Sequence, residues 1–329
     1  MSEPNPAQAA PGLDAGGVTV AILSDTQALT EYAPDLYAGL TEWLAEHADE
    51  LGLRLVLHVG DVVNRGADDE EQYRVAAAAH RTLLDAGLPL LVTGGNHDYD
   101  DQLTRSRDLT LFNRYVGAAQ LAGQRCFAGS WEPGAAENSY ALLDGPEGGL
   151  LALALEFGPR PEVVAWADQV LTEHADRPAF LVTHAYLDPD ASRTASRSRF
   201  HPRAYVAASD GLDGAQLWTR LLTRHANVVG LFCGHQIPGP ISYRVDLADD
   251  GHGVLQSFQN WQSAPPELRA CVRIVNWQAS GRIRMRVINT ATGAWERHAG
   301  YEVDVVGGLA AAPVRYPAHP DPIEVWPAD

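Results

Sequence analysis

The sequence predicts an α/β sandwich built from mixed β-sheets. Three observations carry that expectation. Apolar β-type runs alternate with amphipathic helical stretches over the first two thirds of the chain. From Ile241 onward the pattern changes to alternating strands separated by turn residues, as in ACVRIVNW and SGRIRMRVI. The 329 residues are 46% hydrophobic and 20% charged, an ordinary globular balance with enough length for a full core. Taken in order, residues 18–23 read as a buried strand and 34–47 as a helix burying Leu40, Trp43 and Leu44. A second strand follows over 53–59, then a helix over 69–86 closed by Gly87, the residue type favoured just past a helix end. Pro89 leads into a third strand at 90–93. Strands are expected at 139–143 and 150–157, a helix at 161–174, a strand at 180–183, a helix at 213–224 and a strand at 228–232. Residues 1–17 read as a flexible leader, 18–306 as one domain, and 307–329 as a C-terminal extension rich in Pro and Ala.

Composition removes several function classes. Against 24 basic side chains, all Arg, stand 42 acidic ones, for a net charge of −18. Affinity for phosphate backbones comes mainly from clustered cations, so a nucleic-acid scaffold is not expected as a partner. No run approaches the 18 or so apolar residues of a membrane helix, so no membrane partner is expected either. Cys126, Cys233 and Cys271 are far apart and odd in number, which fits a reducing compartment rather than a disulfide framework. The leader is polar and acidic and lacks an apolar signal region, so a cytoplasmic location is expected.

The chemistry concentrates where strands end, the place where α/β folds hold their ligands. Ser24-Asp25-Thr26-Gln27 follows the first strand, Gly60-Asp61-Val62-Val63-Asn64 the second, and Gly95-Asn96-His97-Asp98 the third. Thr183-His184 and Cys233-Gly234-His235-Gln236 close two later ones. Singly these are weak signals, because Asp and Asn commonly form turns or caps and a lone His is commonly a satisfied core residue. Five in order, each closing a β-type run, are hard to obtain from turns alone. Carboxylate, amide and imidazole donors together suit Mn, Fe or Zn better than Ca or Mg. Elsewhere the plainer reading prevails: Trp43, Trp166 and Trp218 are core, Cys233 is a small buried hydrophobe, and His58 packs within or beside the site. Arg193, Arg197, Arg199, His201 and Arg203 mark a loop near the site, either solvated or gripping substrate phosphate.

In these motifs the chain resembles the calcineurin-like metallophosphoesterase superfamily, whose signature runs Asp-x-His, Gly-Asp-x-x-Asn/Asp, Gly-Asn-His-Asp/Glu, an isolated His, then Gly-His-x-His. The likeness covers roughly residues 18–300 and extends to LEFGPRPEVVAWADQVL, THAYLD, DGAQLW and FQNWQ, which look like a bacterial branch. It implies a four-layer αββα sandwich of two mixed sheets flanked by helices. It also implies one or two Mn, Fe or Zn ions, and hydrolysis of a phosphate mono- or diester on a small substrate by a metal-bound hydroxide. By position, Asp61 would bridge two metals, and Asn96, His184 and His235 would complete one site with it. His97 would face the substrate as general acid, Asp98 would orient His97, and Asn64 would support the loop. Asp25 and Gln27 would serve the other site. There the chain departs from the pattern: Gln27 stands in place of His, and Ile237 in place of the final His. That departure gives the alternative of a non-hydrolytic metal protein, for binding or iron redox chemistry, with a weakened first site.

Overall fold

The computed structural model of the chain describes residues 17–121, 123–145, 149–237, 239–278, 280–297 and 303–305. All but the last residue of the expected leader, and the whole 307–329 extension, lie outside the described residues. β1 (Gly17–Leu23), β2 (Leu53–His58) and β3 (Leu90–Val92) open a first sheet. β4 (Phe127–Ser130), β5 (Ser139–Leu143), β6 (Leu150–Leu155), β7 (Ala179–Thr183), β8 (Val228–Cys233), β9 (Ile241–Leu247) and β10 (Gly253–Gln259) build a second. β11 (Cys271–Gln278), β12 (Ile283–Asn289), β13 (Ala294–Glu296) and β14 (Val303–Val305) return to the first. Its order is β13-β12-β11-β1-β2-β3 with β14 also on β12; that of the second is β4-β5-β6-β7-β8-β10-β9. Both sheets are mixed. β1, β2 and β3 run parallel, with Ala21 beside Val56 and Leu57 beside Leu91, whereas β11 pairs antiparallel to β1. In the second sheet β6, β7, β8 and β10 are mutually parallel.

Side-chain alternation shows how the layers stack. On β7, Phe180 and Val182 join one core cluster with Val20, Ile22, Leu55 and Leu57 of the first sheet. Leu181 and Ala179, pointing the other way, join Val163, Val170 and Leu171 of the helix Pro161–Glu173. The helices Pro34–Glu46 and Glu70–Asp85 add Tyr37, Leu40, Tyr73 and Leu83 to the first cluster. β1 is buried from Val18 to Leu23, which requires cover on both of its faces. The result is the expected four-layer αββα sandwich. Among the described residues, no helix is long and apolar enough to cross a membrane.

Local differences from the sequence reading have local causes. The helix expected over 213–224 runs only Gly214–Arg220, opened by a capping box between Asp213 and Gln216; Leu221 then leaves helical geometry before a short 3₁₀ turn. The short helices Gln27–Tyr32 and Thr110–Tyr115 give too little periodicity to be read from sequence. The first is instead anchored from outside, where Thr26 N and Gln27 N both donate to Asp61 O at 3.0 Å.

Candidate metal centre

Asp25, Asp61 and Asn96 lie just past the C-terminal ends of β1, β2 and β3; His184 and His235 lie just past β7 and β8. The two sheets therefore meet at one edge of the sandwich, the first supplying carboxylates and an amide, the second supplying imidazoles. Two glycines permit the approach. A Cβ on Gly95 would stand 2.1 Å from Asp61 Oδ1, and one on Gly234 would stand 2.1 Å from Asp25 Oδ2. Asp61 and His235 themselves take positive φ, 51° and 78°, conformations that cost energy for residues with a Cβ and concentrate at functional sites.

Each imidazole is fixed through the ring nitrogen that faces away from the cluster. His184 Nδ1 donates to Val59 O at 2.9 Å, so its Nε2 is left facing Asp61 Oδ2 at 3.1 Å and Asp25 Oδ1 at 4.0 Å. His235 Nε2 donates to Phe200 O at 2.9 Å, leaving Nδ1 3.2 Å from His184 Nε2. This is how a metal-ligating histidine is usually held, its second nitrogen on a carbonyl or carboxylate. Ligand atoms of Asp61, His184 and His235 all lie within 4.8 Å of one another.

Three oxygens of the first and third motifs have no hydrogen-bond partner although buried: Asp25 Oδ2, Gln27 Oε1 and Asn96 Oδ1. Gln27 Nε2 donates to Asp61 Oδ2 at 3.0 Å, so its free oxygen is a consequence of how the amide is turned. Buried acceptors are rarely left unpaired. Two of these residues stand beside the Asp61–His184 pair: Asp25 Oδ1 is 4.0 Å from His184 Nε2, and Gln27 Nε2 is bonded to Asp61 Oδ2, a donor set that fits a cation. The electrostatics agree. Burial pushes the Asp25 carboxyl up to about 7, with His184 opposing and Asp61 adding to the rise. Burial also works against ionised Asp61, yet His184, His97 and His235 outweigh it and hold that carboxyl well below its usual range. Burial disfavours a charged His184, but Asp61 and Asp25 raise it to about 9. Burial and then His184 lower His235 to about 3. The cluster thus lacks positive charge, and a proton on His184 supplies part of it.

His97 sits beside the centre. Its backbone N–H donates to Asp61 Oδ1 at 3.0 Å and its Nδ1 to Asn64 O at 2.9 Å. It lines a cavity of about 400 Å³ with Asn64, Arg65, Tyr99, Gln102 and Leu103. The expected pairing of Asp98 with His97 is corrected here. The Asp98 carboxylate accepts from Gly95 N (2.8 Å), Val63 N (3.1 Å) and Val62 N (3.2 Å), because the turn folds it back onto the second and third motifs. Asp98 therefore clamps together the loops that carry Asp61 and Asn96, and burial raises its carboxyl to about 7. Asn64 supports its loop through Glu31, to which its Nδ2 donates.

His58, expected from sequence to pack within or beside the site, links two of the motifs. Its Nδ1 accepts from Gly60 N, so Nε2–H donates to Thr26 Oγ1 at 3.0 Å, and Thr26 Oγ1–H passes the chain on to Val62 O. That series ties the first motif to the second. Phe200 O shows that the arginine-bearing loop does reach the site, although as a backbone carbonyl it left no trace in the sequence. Arg193 is committed elsewhere, to Asp246 at 2.6 Å and over the Trp218 ring at 3.8 Å. Ile237 is 37% exposed and offers no donor.

A family model for calcineurin-like phosphoesterases matches residues 18–238. The uncharacterized protein YvnB of Bacillus subtilis (strain 168) is 26% identical over 260 residues, covering 78% of this chain but 18% of that protein. The chain thus spans under a fifth of that relative's length. Among solved structures, a dimetal phosphatase from Danio rerio is similar at a TM-score of 0.58 with 10% identity, covering 89% of this chain and 99% of that one. The purple acid phosphatase PPD1 from yellow lupin (Lupinus luteus) seeds reaches 0.53 with 12% identity, covering 86% of this chain and 53% of that one. At these identities the structural likeness shows the fold.

Proposed function

We propose that this chain, which belongs to the calcineurin-like phosphoesterase family, hydrolyses a phosphate mono- or diester of a small substrate. The observation that supports this most is the Asp61–His184–His235 cluster, with buried, unpartnered oxygens on Asp25, Gln27 and Asn96 of the first and third motifs. Asp61, Asn96, His184 and His235 would hold one ion; Asp25, Gln27 and Asp61 a second. A transition-metal ion such as Mn, Fe or Zn, when bound, supplies Lewis acidity toward phosphoryl oxygens and a lowered water pKa.

The remaining work falls to the chain. His97 lines the cavity where the alcohol of the ester would lie. Its Nδ1–H is tied to Asn64 O, which fixes the ring plane and leaves Nε2 to hold the proton that the leaving oxygen takes. Asp98 keeps the loops bearing Asp61 and His97 in register, so it acts on His97 through the backbone. A strongly acidic protein can accept an anionic ester here because bound cations invert the local field. A non-hydrolytic metal protein is the second reading, favoured by Gln27 and Ile237 at the weaker set; His97 speaks against it, since a binding site needs no leaving-group acid. Hydrolysis of nitrophenyl phosphate mono- and diesters by the metal-loaded protein, beside His97→Ala, tests the choice. Turnover that depends on both metal and His97 supports hydrolysis. Tight metal with no turnover on either ester class would leave the second reading standing.

A further inference from the structure

The amide of Asn96 poses a problem of choice. Its two ends are nearly the same size, yet the oxygen can ligate a cation and the NH₂ cannot. A side chain that is 2% exposed at a metal centre therefore needs something to decide which end faces inward. The neighbouring loop supplies a candidate. Asn96 Nδ2 donates to Gln102 Oε1 at 3.2 Å, and with the amide turned that way Oδ1 is buried without a partner. We propose that Gln102 is a positioning residue for Asn96, holding its NH₂ outward so that Oδ1 is presented to the metal. The inference rests on the metal centre proposed above.

The loop that carries Gln102 is built to hold it still. Asp100 N donates to Asp108 O at 2.8 Å, the Asp100 carboxylate accepts from Thr110 N and Oγ1, and Leu103 N caps back onto Asp101 Oδ1 at 2.8 Å. Farther along, Arg107 fastens the same segment to Phe157 O, Gly158 O and Asp210. Gln102 is only partly buried and lines the cavity beside His97. One end of its amide thus reaches a metal ligand while the residue forms the wall where the leaving alcohol would lie. Partners of this kind, which orient a ligand without touching the metal, typically change metal affinity by 10–100-fold when removed.

Titration of the metal-free protein with Mn²⁺ by calorimetry reads the effect directly, with thermal unfolding of each metal-free variant measured alongside. Gln102→Met keeps the length and removes the acceptor; Mn²⁺ affinity at the tighter equivalent is expected to fall roughly tenfold or more. Gln102→Glu can only accept, so it should restore the parent affinity or exceed it. In an Asn96→Asp background both ends of residue 96 are oxygen, so Gln102→Met should then cost little. An equal loss in the parent and Asn96→Asp backgrounds, or no recovery with Gln102→Glu, would mean that Gln102 only supports its loop, and the positioning role falls. Asn96→Ala separates this from the underlying reading. If that change leaves Mn²⁺ binding intact, Asn96 is no ligand and both fall together; if it removes binding while Gln102→Met does not, the positioning role alone is overturned.

Discussion

The two proposed sets of metal ligands are built unequally. In one set Asp61, Asn96, His184 and His235 would bring a carboxylate, an amide oxygen and two imidazoles, each imidazole locked by a backbone carbonyl. In the other, Asp25 and Gln27 would add one carboxylate oxygen and one amide oxygen to the shared Asp61, and Ile237 would add nothing. The difference does not come from looser packing, since Asp25 is 4% exposed and Gln27 1%. It comes from donor chemistry: neutral amide oxygen is a weaker ligand for Mn, Fe or Zn than imidazole. On this proposal a fold can keep a pocket closed and pre-shaped while changing how firmly each half of it would hold a cation.

The largest expected effect comes from the stronger half. His184→Ala removes both a proposed ligand and the positive charge that balances Asp61 and Asp25. After extensive dialysis the variant should retain no tightly bound metal. The metal-free protein should also lose stability by about 3–5 kcal/mol, the usual cost of leaving a buried charge uncompensated. Metal analysis and thermal unfolding measure the two, and retention of parent metal content would break the asymmetry at its root. Next in size is His97→Ala, which should keep metal and lower kcat by roughly 10²-fold or more. That loss should shrink for esters with good leaving groups; a uniform loss across leaving groups of differing pKa would make His97 a phosphate-binding residue. Asp25→Asn should be milder, because an amide oxygen can still accept from His235 N, and only the weaker metal equivalent should suffer. The smallest expected change is a gain: Gln27→His should raise affinity for the second equivalent, read by Zn²⁺ or Mn²⁺ titration. No gain in a normally folded variant would mean that position 27 does not aim at the second ion.

The layered fold and the five motif loops were legible because polar residues at the ends of apolar runs stand out against their surroundings. What was not legible is mostly backbone. Val59 O, Phe200 O and Asn64 O fix the three imidazoles, and a carbonyl carries no residue-specific mark. Asp98 was misread for a related reason: adjacency to His97 suggests contact, but the turn sends its carboxylate back to the amides of Val62, Val63 and Gly95. His58 reads from sequence as packing within or beside the site, but its tie to Thr26 depends on β1 and β2 lying side by side. Gln102 sits in no motif, and only the folded loop brings it to Asn96.

Calorimetric titration of the metal-free protein with Mn²⁺, run in parallel on the parent and Asp25→Asn, tests the unequal centre most directly. Two equivalents of clearly different affinity are expected in the parent, with the tight one unchanged in Asp25→Asn and the weak one reduced or lost. Two equivalents of equal affinity, or loss of the tight one in Asp25→Asn, would contradict the account.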